Sequence, residues 1–453
     1  MHQVSHSARQ AVLHLGEQVA VARYLAKWLL ILTPVAIAVG SVSAAFLWAL
    51  ELVTETRWAQ PWLLYALPLA GVASAALYHY LGRSVEGGNN LIVDEIHEPG
   101  GGVPARIAPL IFASTIVAHL FGASVGREGT AVQMGGGIAS AFGRLVRLSP
   151  VDTRTLLMAG VAAGFGSIFG TPIAGAIFAM EVLTIGHMRT EALIPVLYAS
   201  LVADATTGAW GAHHTAYHIA LVAHDGRLPF DLLLLLEAAV GGVAFGLVAV
   251  LFSELTHGLG RLFRATIPWV LVRSLVGGLI TIALVLLLGT RDYLGLGVSS
   301  PIAGATSILS SFEPGGAGWL SWWWKILFTA VALGSGFKGG EVTPLFFIGS
   351  TLGNRIGTLL AAPVDLFAGL GFVGIFAAAA NTPLACTVMG IELFGAGVAP
   401  YLAVACCTAY LVSGHSGIYL SQRIGMAKVG EVAAKSSLRA VRESRADAAR
   451  RDR

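Results

Sequence analysis

From Trp28 to Leu50 the chain carries no charged residue. That is about the 20 residues an apolar helix needs to cross a bilayer. Further apolar runs cover Pro61 to Leu81, residues 190–206, and the regions around 231–253 and 267–290. Composition agrees with this. Only 12% of the residues are charged, and mean hydropathy is +0.74, whereas a soluble domain carries roughly 25% charge. So few charges cannot cover a soluble body of 453 residues. A net charge of +3, without basic clusters along the body, also excludes a nucleic-acid binder. The chain reads as an all-α integral membrane protein with many spans.

Other apolar stretches are not simple spans. Residues 106–143, 155–183 and roughly 300–422 are broken by Gly and Pro, and Arg and Glu sit inside them. Irregular backbone at membrane depth is tolerated only when it is buried in protein or lines a wet cavity. Short, broken helices therefore point to a transporter or channel.

The chain also repeats itself. Gly170-Thr171-Pro172-Ile173-Ala174 precedes Glu181, and Asn381-Thr382-Pro383-Leu384-Ala385 precedes Glu392, with an offset of 211 residues (383 − 172) for both the Pro and the Glu. Upstream of each copy lies a Gly-rich string, Gly126-Arg127-Glu128-Gly129-Thr130 and Gly340-Glu341-Val342-Thr343-Pro344, with Gly135 and Gly349 five residues beyond. The expected organisation is an N-terminal amphipathic helix (1–27), a first membrane repeat (28–206), a polar His-rich loop (207–230), a second repeat (231–426) and a basic tail (427–453). By the positive-inside rule the tail is cytoplasmic, as is the N-terminal helix, in a multi-pass protein of the inner or plasma membrane.

Gly87-Gly88-Asn89-Asn90-Leu91 is a third string of this kind, and all three run directly into helix-like sequence. Glycine lets backbone approach an ion closely. A helix start offers free N–H groups and a partial positive charge. Several such starts aimed at one point make an anion site. A carboxylate there, within the membrane, is expensive unless it serves a function. Glu128 is such a group. As an anion it can fill an anion site, and once protonated it leaves.

These strings resemble the CLC family of anion channels and proton-coupled antiporters. Gly126-Arg127-Glu128-Gly129-Thr130 is similar to the family's GREGP signature, with Thr130 in place of its Pro. Gly340-Glu341-Val342-Thr343-Pro344 is similar to GxFxP, and Gly88-Asn89-Asn90-Leu91-Ile92 stands where the family has GSGIP. GREGTAVQMG and GGEVTPLF resemble the fluoride-specific branch. The resemblance implies an inverted repeat of short, tilted helices, a homodimer in the lipid bilayer, and fluoride export by fluoride/proton antiport. A chloride/proton antiporter or passive chloride channel of the same fold is the alternative. It makes Glu128 the gating glutamate and Tyr419 the inner-gate tyrosine. Val182 holds the place of the usual inner proton-transfer Glu, so Glu341 is expected to act with Glu128 in proton coupling. The expected anion contacts are Asn89, Gly126, Arg127, Gly129, Thr130, Gly340, Val342, Thr343 and Tyr419.

Blander readings compete at several positions. Glu341 can pair with Lys338 or Arg127, Glu128 with Arg127 at the surface, Thr343 can pack, and Asn89 can cap a helix. Glu181 and Glu392 are expected to cap or pair with backbone. His213, His214, His218 and His224 crowd one loop with HHxxxH spacing but read as external loop residues, and neither a metal nor a cofactor is expected. His415 reads as a packing or capping residue. Trp322, Trp323 and Trp324 with Lys325 read as an interfacial anchor. Cys386, Cys406 and Cys407 read as small buried hydrophobes. With no paired nucleophile and base, the chain is not expected to be an enzyme.

Overall fold

The computed structural model describes residues 2–220, 231–430 and 436–451. His224, Lys435 and Arg453 lie outside them. The first half contains α1 (His2–Ala59), α2 (Leu67–Leu81), α3 (Asn89–His97), α4 (Ile107–Leu120), α5 (Glu128–Leu145), α6 (Pro150–Phe169), α7 (Pro172–Glu181) and α8 (Leu193–Ala209). The second contains α9 (Leu232–Thr266), α10 (Val270–Leu288), α11 (Ser321–Ser335), α12 (Val342–Leu360), α13 (Val364–Ala380), α14 (Pro383–Phe394) and α15 (Ala399–Val412), followed by α16 (Leu438–Arg451) in the tail. Among the described residues, five segments are long and apolar enough to cross a membrane: Gly16–Ala59, Pro61–Leu81, Thr190–Ala209, Leu232–Thr266 and Val270–Leu288. They match the runs read from the sequence. Helix α1 continues without a break through residues 27 and 28, so the N-terminal helix and the first span are one element.

The two halves pack alike. Helix α5 lies on α6 and α12 on α13; α7 joins α6 and α8 as α14 joins α13 and α15; α7 and α14 meet each other. Both hairpins that lead into α7 and α14 follow from sequence. Gly170 (φ 71°) and Asn381 (φ 58°) end the preceding helices in the left-handed conformation, which Gly and Asn tolerate best. Thr171 and Thr382 occupy the N-cap positions without a side-chain capping bond, and Pro172 and Pro383 start the next helix where a missing N–H costs nothing.

The buried helices approach through small residues. A Cβ added to Gly135 would stand 2.1 Å from the Gly160 carbonyl oxygen, and one on Gly349 would stand 2.0 Å from that of Gly371. Backbone contact at that distance leaves no room for any side chain. Residues 366–380 of α13 are buried throughout, while α2, α8, α9 and α10 expose Leu69, Leu201, Leu236 and Leu279 on their outer faces. Cys407 also faces outward, unlike Cys386 and Cys406, because its neighbour on the helix takes the core-facing position.

Glu181 and Glu392 tie the repeats together. Glu392 at the end of α14 accepts the N–H groups of Ile173 and Ala174 at the start of α7, at 3.0 and 2.8 Å. Glu181 at the end of α7 accepts those of Leu384 and Ala385 at the start of α14, at 3.1 and 2.8 Å. Each carboxylate thus satisfies the orphan donors of the other copy's helix and meets the positive end of its dipole.

The tail folds back onto this frame. Strand β1 (Thr184–Ile185) pairs in parallel with β2 (Arg423–Ile424). The Gln422 amide donates to the carbonyls of Val182 and Ala380. Val182 itself is buried at the end of α7.

Candidate anion and proton site

The starts of α5 and α12 meet back to back. Gly126 and Gly340 exchange two backbone hydrogen bonds, at 2.6 and 2.7 Å. Gly126 and Gly340 are also equivalent in the repeat, so the molecular pseudo-twofold passes between them. A Cβ on Gly340 would stand 2.8 Å from the Gly129 nitrogen, so the approach requires glycine.

Glu128, the first residue of α5, is fully buried. Its carboxylate folds back into a seat made by both helix starts. Oε2 accepts the N–H of Thr343 at 3.0 Å and of Arg127 at 3.1 Å, and Oε1 accepts the Thr343 hydroxyl at 2.5 Å. Arg127 Nε lies 3.5 Å from Oε1, so the two residues do pair, but inside the protein rather than at its surface. Thr343 is therefore a donor to an anion and not a packing residue. Charge-assisted donors of this kind hold an anion more strongly than neutral pairs do.

A cavity opens on each side of Glu128. The first, about 610 Å³, is lined by Arg57, Arg127, His213, Asp292 and Gly297 among others. The second, about 180 Å³, is lined by Gly88, Asn89, Gln133, Lys338, Gly339, Glu341 and Tyr419 among others. The two share no lining residue, and Glu128 belongs to neither. Its neighbour Arg127 lines the first cavity, and Glu341, at the start of α12, lines the second.

The structure brings most of the expected residues to this place, and not all. Gly129 lies beside Asn89, whose Nδ2 would stand 2.9 Å from an added Cβ. Asn89 makes no capping hydrogen bond to α3, and its Oδ1 is buried without a partner. Glu341 forms no ion pair with Lys338 or Arg127 among the described residues; Lys338 instead stacks over Tyr78 at 4.2 Å. Tyr419 is held at the second cavity by its own loop. Ile418 donates to the Ala379 carbonyl at 2.9 Å, Asn381 holds the Ser416 carbonyl, and Ser421 donates to Asn90. Val342 is buried in the first turn of α12. Thr130 turns away: its hydroxyl bonds that of Thr115 on α4 at 2.8 Å, because one residue's rotation about α5 carries it to the opposite packing face.

Sequence reasoning missed Gln133 and Lys338, which line the second cavity. Gln133 had a signal, as a polar side chain in the apolar middle of the helix five residues past Glu128. The histidines do not converge: His213 lines the first cavity, His214 pairs with Asp204 at 3.8 Å, and His218 is exposed. His415 accepts the N–H of Lys428 at 3.1 Å. The Trp322–Trp324 reading fails at Lys325, which is 0% exposed. Its helix turns it inward, where its ammonium donates to the carbonyls of Tyr293 and Gly295 at 3.1 and 2.7 Å.

Fold and site together define a multi-pass membrane transport protein with a buried carboxyl group where the helix starts of two repeats meet. The chain belongs to the voltage gated chloride channel family, whose model matches residues 69–414. It is 48% identical over 412 residues to a chloride/fluoride channel protein of Pseudomonas syringae pv. tomato, covering 91% of this chain and 90% of that one. The fold matches the crystal structure of a CLC-type fluoride/proton antiporter with a TM-score of 0.82 at 32% identity, over 88% of this chain and 98% of that one. It also matches a slow cyanobacterial Cl−/H+ antiporter with a TM-score of 0.70 at 20% identity, covering 85% and 94% of the two chains.

Proposed function

We propose that this protein exports fluoride in exchange for protons. The observation that carries this reading is the seat of Glu128. One carboxylate takes the Arg127 N–H, the Thr343 N–H and the Thr343 hydroxyl, all donors that a small anion can use. Fluoride is a compact, hard acceptor and suits a hydroxyl donor supplemented by helix-start amides. When fluoride enters from the second cavity, past Tyr419 and Asn89, it competes with the carboxylate for these donors. A protonated Glu128 loses its charge and its claim on the seat. Anion and proton then move in opposite senses, because one group binds either the donors or a proton. Glu341, on the wall of the second cavity, passes the proton on the inner side.

The positive-inside rule applied to the basic tail supports a plasma- or inner-membrane protein with both termini in the cytoplasm, and in this reading the second cavity faces that side. The family resemblance supports a homodimer with one path per subunit. The single observation favouring fluoride over chloride is the Thr343 hydroxyl.

The test is efflux from liposomes reconstituted with purified protein, with fluoride and chloride electrodes and pH recorded together. Fluoride efflux faster than chloride, with proton uptake, is expected. Glu128→Gln mimics the protonated gate and should abolish fluoride-driven proton movement. Chloride efflux equal to or faster than fluoride efflux would overturn the selectivity, and persistent coupling in Glu128→Gln would overturn the gate.

A further inference from the structure

Two basic side chains lie buried beside the first cavity with no carboxylate paired to them among the described residues. Arg57, in the last turn of α1, is 8% exposed and lines the cavity. Its guanidinium lies over the Trp58 ring at 5.1 Å but forms no hydrogen bond or ion pair among the described residues, and its Nε is enclosed without a hydrogen-bond partner. Lys325 from α11 is enclosed behind it and answered only by two backbone carbonyls and the Phe347 ring at 5.2 Å.

The segment 292–298 is shaped around them. Gly295 (φ 58°) and Gly297 (φ 71°) adopt the left-handed region. A Cβ on Gly295 would stand 3.0 Å from Arg57 Nη2, and one on Gly297 would stand 3.5 Å from Lys325 Nζ. The bare backbone leaves the guanidinium open to the cavity. Phe347, under Lys325, lies one helical turn beyond Thr343 on α12.

Carboxylates line the same cavity, but they are committed or peripheral. Asp292 accepts the Thr306 N–H at 2.8 Å. Glu51 and Glu55 are exposed at the mouth on α1. Arg127 and Arg291 add positive charge on the cavity side and beside Arg57. An unpaired cation at this depth costs several kcal/mol unless an anion joins it.

We infer that Arg57, backed by Lys325, forms a second anion-binding site in the first cavity, which takes a small, partly hydrated monovalent anion on the far side of Glu128 from Tyr419. This site adds to the transport path proposed above and stands on separate residues. It receives the ion that leaves the Thr343 seat and keeps it from returning before the gate closes.

Bromide, an anomalously scattering halide, tests it in crystals of the full-length protein. Wild type soaked in bromide should show a peak at hydrogen-bond distance from the Arg57 guanidinium, lost in Arg57→Gln and kept in Arg57→Lys. In liposomes Arg57→Gln should slow fluoride efflux about tenfold, the worth of one charge-assisted contact, with the proton-to-fluoride ratio unchanged and Arg57→Lys restoring most of the rate. The wild-type soak decides the matter even if Arg57→Gln does not fold. No peak at Arg57 in wild type overturns the inference. A halide at Thr343 in Glu128→Gln without one at Arg57 leaves the transport reading intact and removes this site. A peak at Arg57 with no coupled fluoride transport does the reverse.

Discussion

In the first copy of the repeat the residue after the bridging glycine is Arg127; in the second it is Glu341. The two are equivalent, as are Glu128 and Val342, and Gly129 and Thr343, all spaced by 214 residues (340 − 126 for the glycines). The scaffold is the same to the level of the Gly135 and Gly349 contacts. The later Thr-Pro motifs differ by 211 because α13 has 17 residues where α6 has 20. Arg127 lines one cavity and Glu341 the other. A duplicated frame thus presents a cation at one mouth and a carboxylate at the other, and the path gains a direction that exact symmetry would deny it. The buried Glu128 carboxyl group comes from the first copy and its hydroxyl donor, Thr343, from the second.

The largest effect should follow from breaking what the two copies share. Gly135→Ala and Gly349→Ala each press a methyl into a carbonyl at about 2 Å, and both should yield little folded protein by size-exclusion in detergent. A well-folded variant of either kind would show that the helices can separate.

Breaking what they do not share should spare the fold and change transport. Thr343→Ala should weaken fluoride binding by about 1.5–3 kcal/mol, roughly ten- to a hundredfold, measured as the fluoride concentration that half-saturates efflux. Glu341→Gln should impair proton coupling. If a folded Glu341→Gln variant couples normally while Glu181→Gln does not, the inner proton role passes to Glu181.

A smaller, paired effect is expected from Glu181→Gln and Glu392→Gln. Each removes a charged acceptor from two N–H groups and should destabilise the protein by about 1–3 kcal/mol. Thermal unfolding in detergent should show similar losses for the two, with coupling intact. Unequal losses would mean that the reciprocal caps are not equivalent.

The smallest effect concerns the tail. The Arg423 guanidinium bonds Glu98, beyond the end of α3, and holds its carboxyl below the usual range. A lowered carboxyl pKa contributes stability that is present above the ordinary value near 4.5 and lost as pH falls below it. Glu98→Gln should therefore remove a slight acid-side loosening of the tail, read by proteolysis of the tail at pH 4 against pH 7. Because the pair is exposed, high salt should mask the difference.

Much of this was legible beforehand, and particular residues show where legibility stopped. Glu128, Thr343 and the Thr-Pro hairpins were readable because glycine and proline impose local backbone choices that depend on their neighbours alone. Thr130 looked equivalent to them yet bonds Thr115, since its facing depends on how α4 lies against α5. Lys325 followed three tryptophans like an interfacial anchor, and only the wrap of residues 293–297 turned it into the core. Arg57 carried no motif at all.

Apolar runs, glycine strings and an offset that recurs were enough to determine a membrane protein, its spans, its duplication and the acid at its glycine-rich helix start, because these follow from transfer to lipid and from backbone sterics along the chain. Tertiary structure alone decided which carboxyl group holds the helix ends of the other copy and which is seated between two meeting helix starts. Glu128, Glu181, Glu341 and Glu392 are the same side chain in similar apolar sequence. Their roles differ because the donors that meet them, or do not, come from helices some two hundred residues away in the other copy.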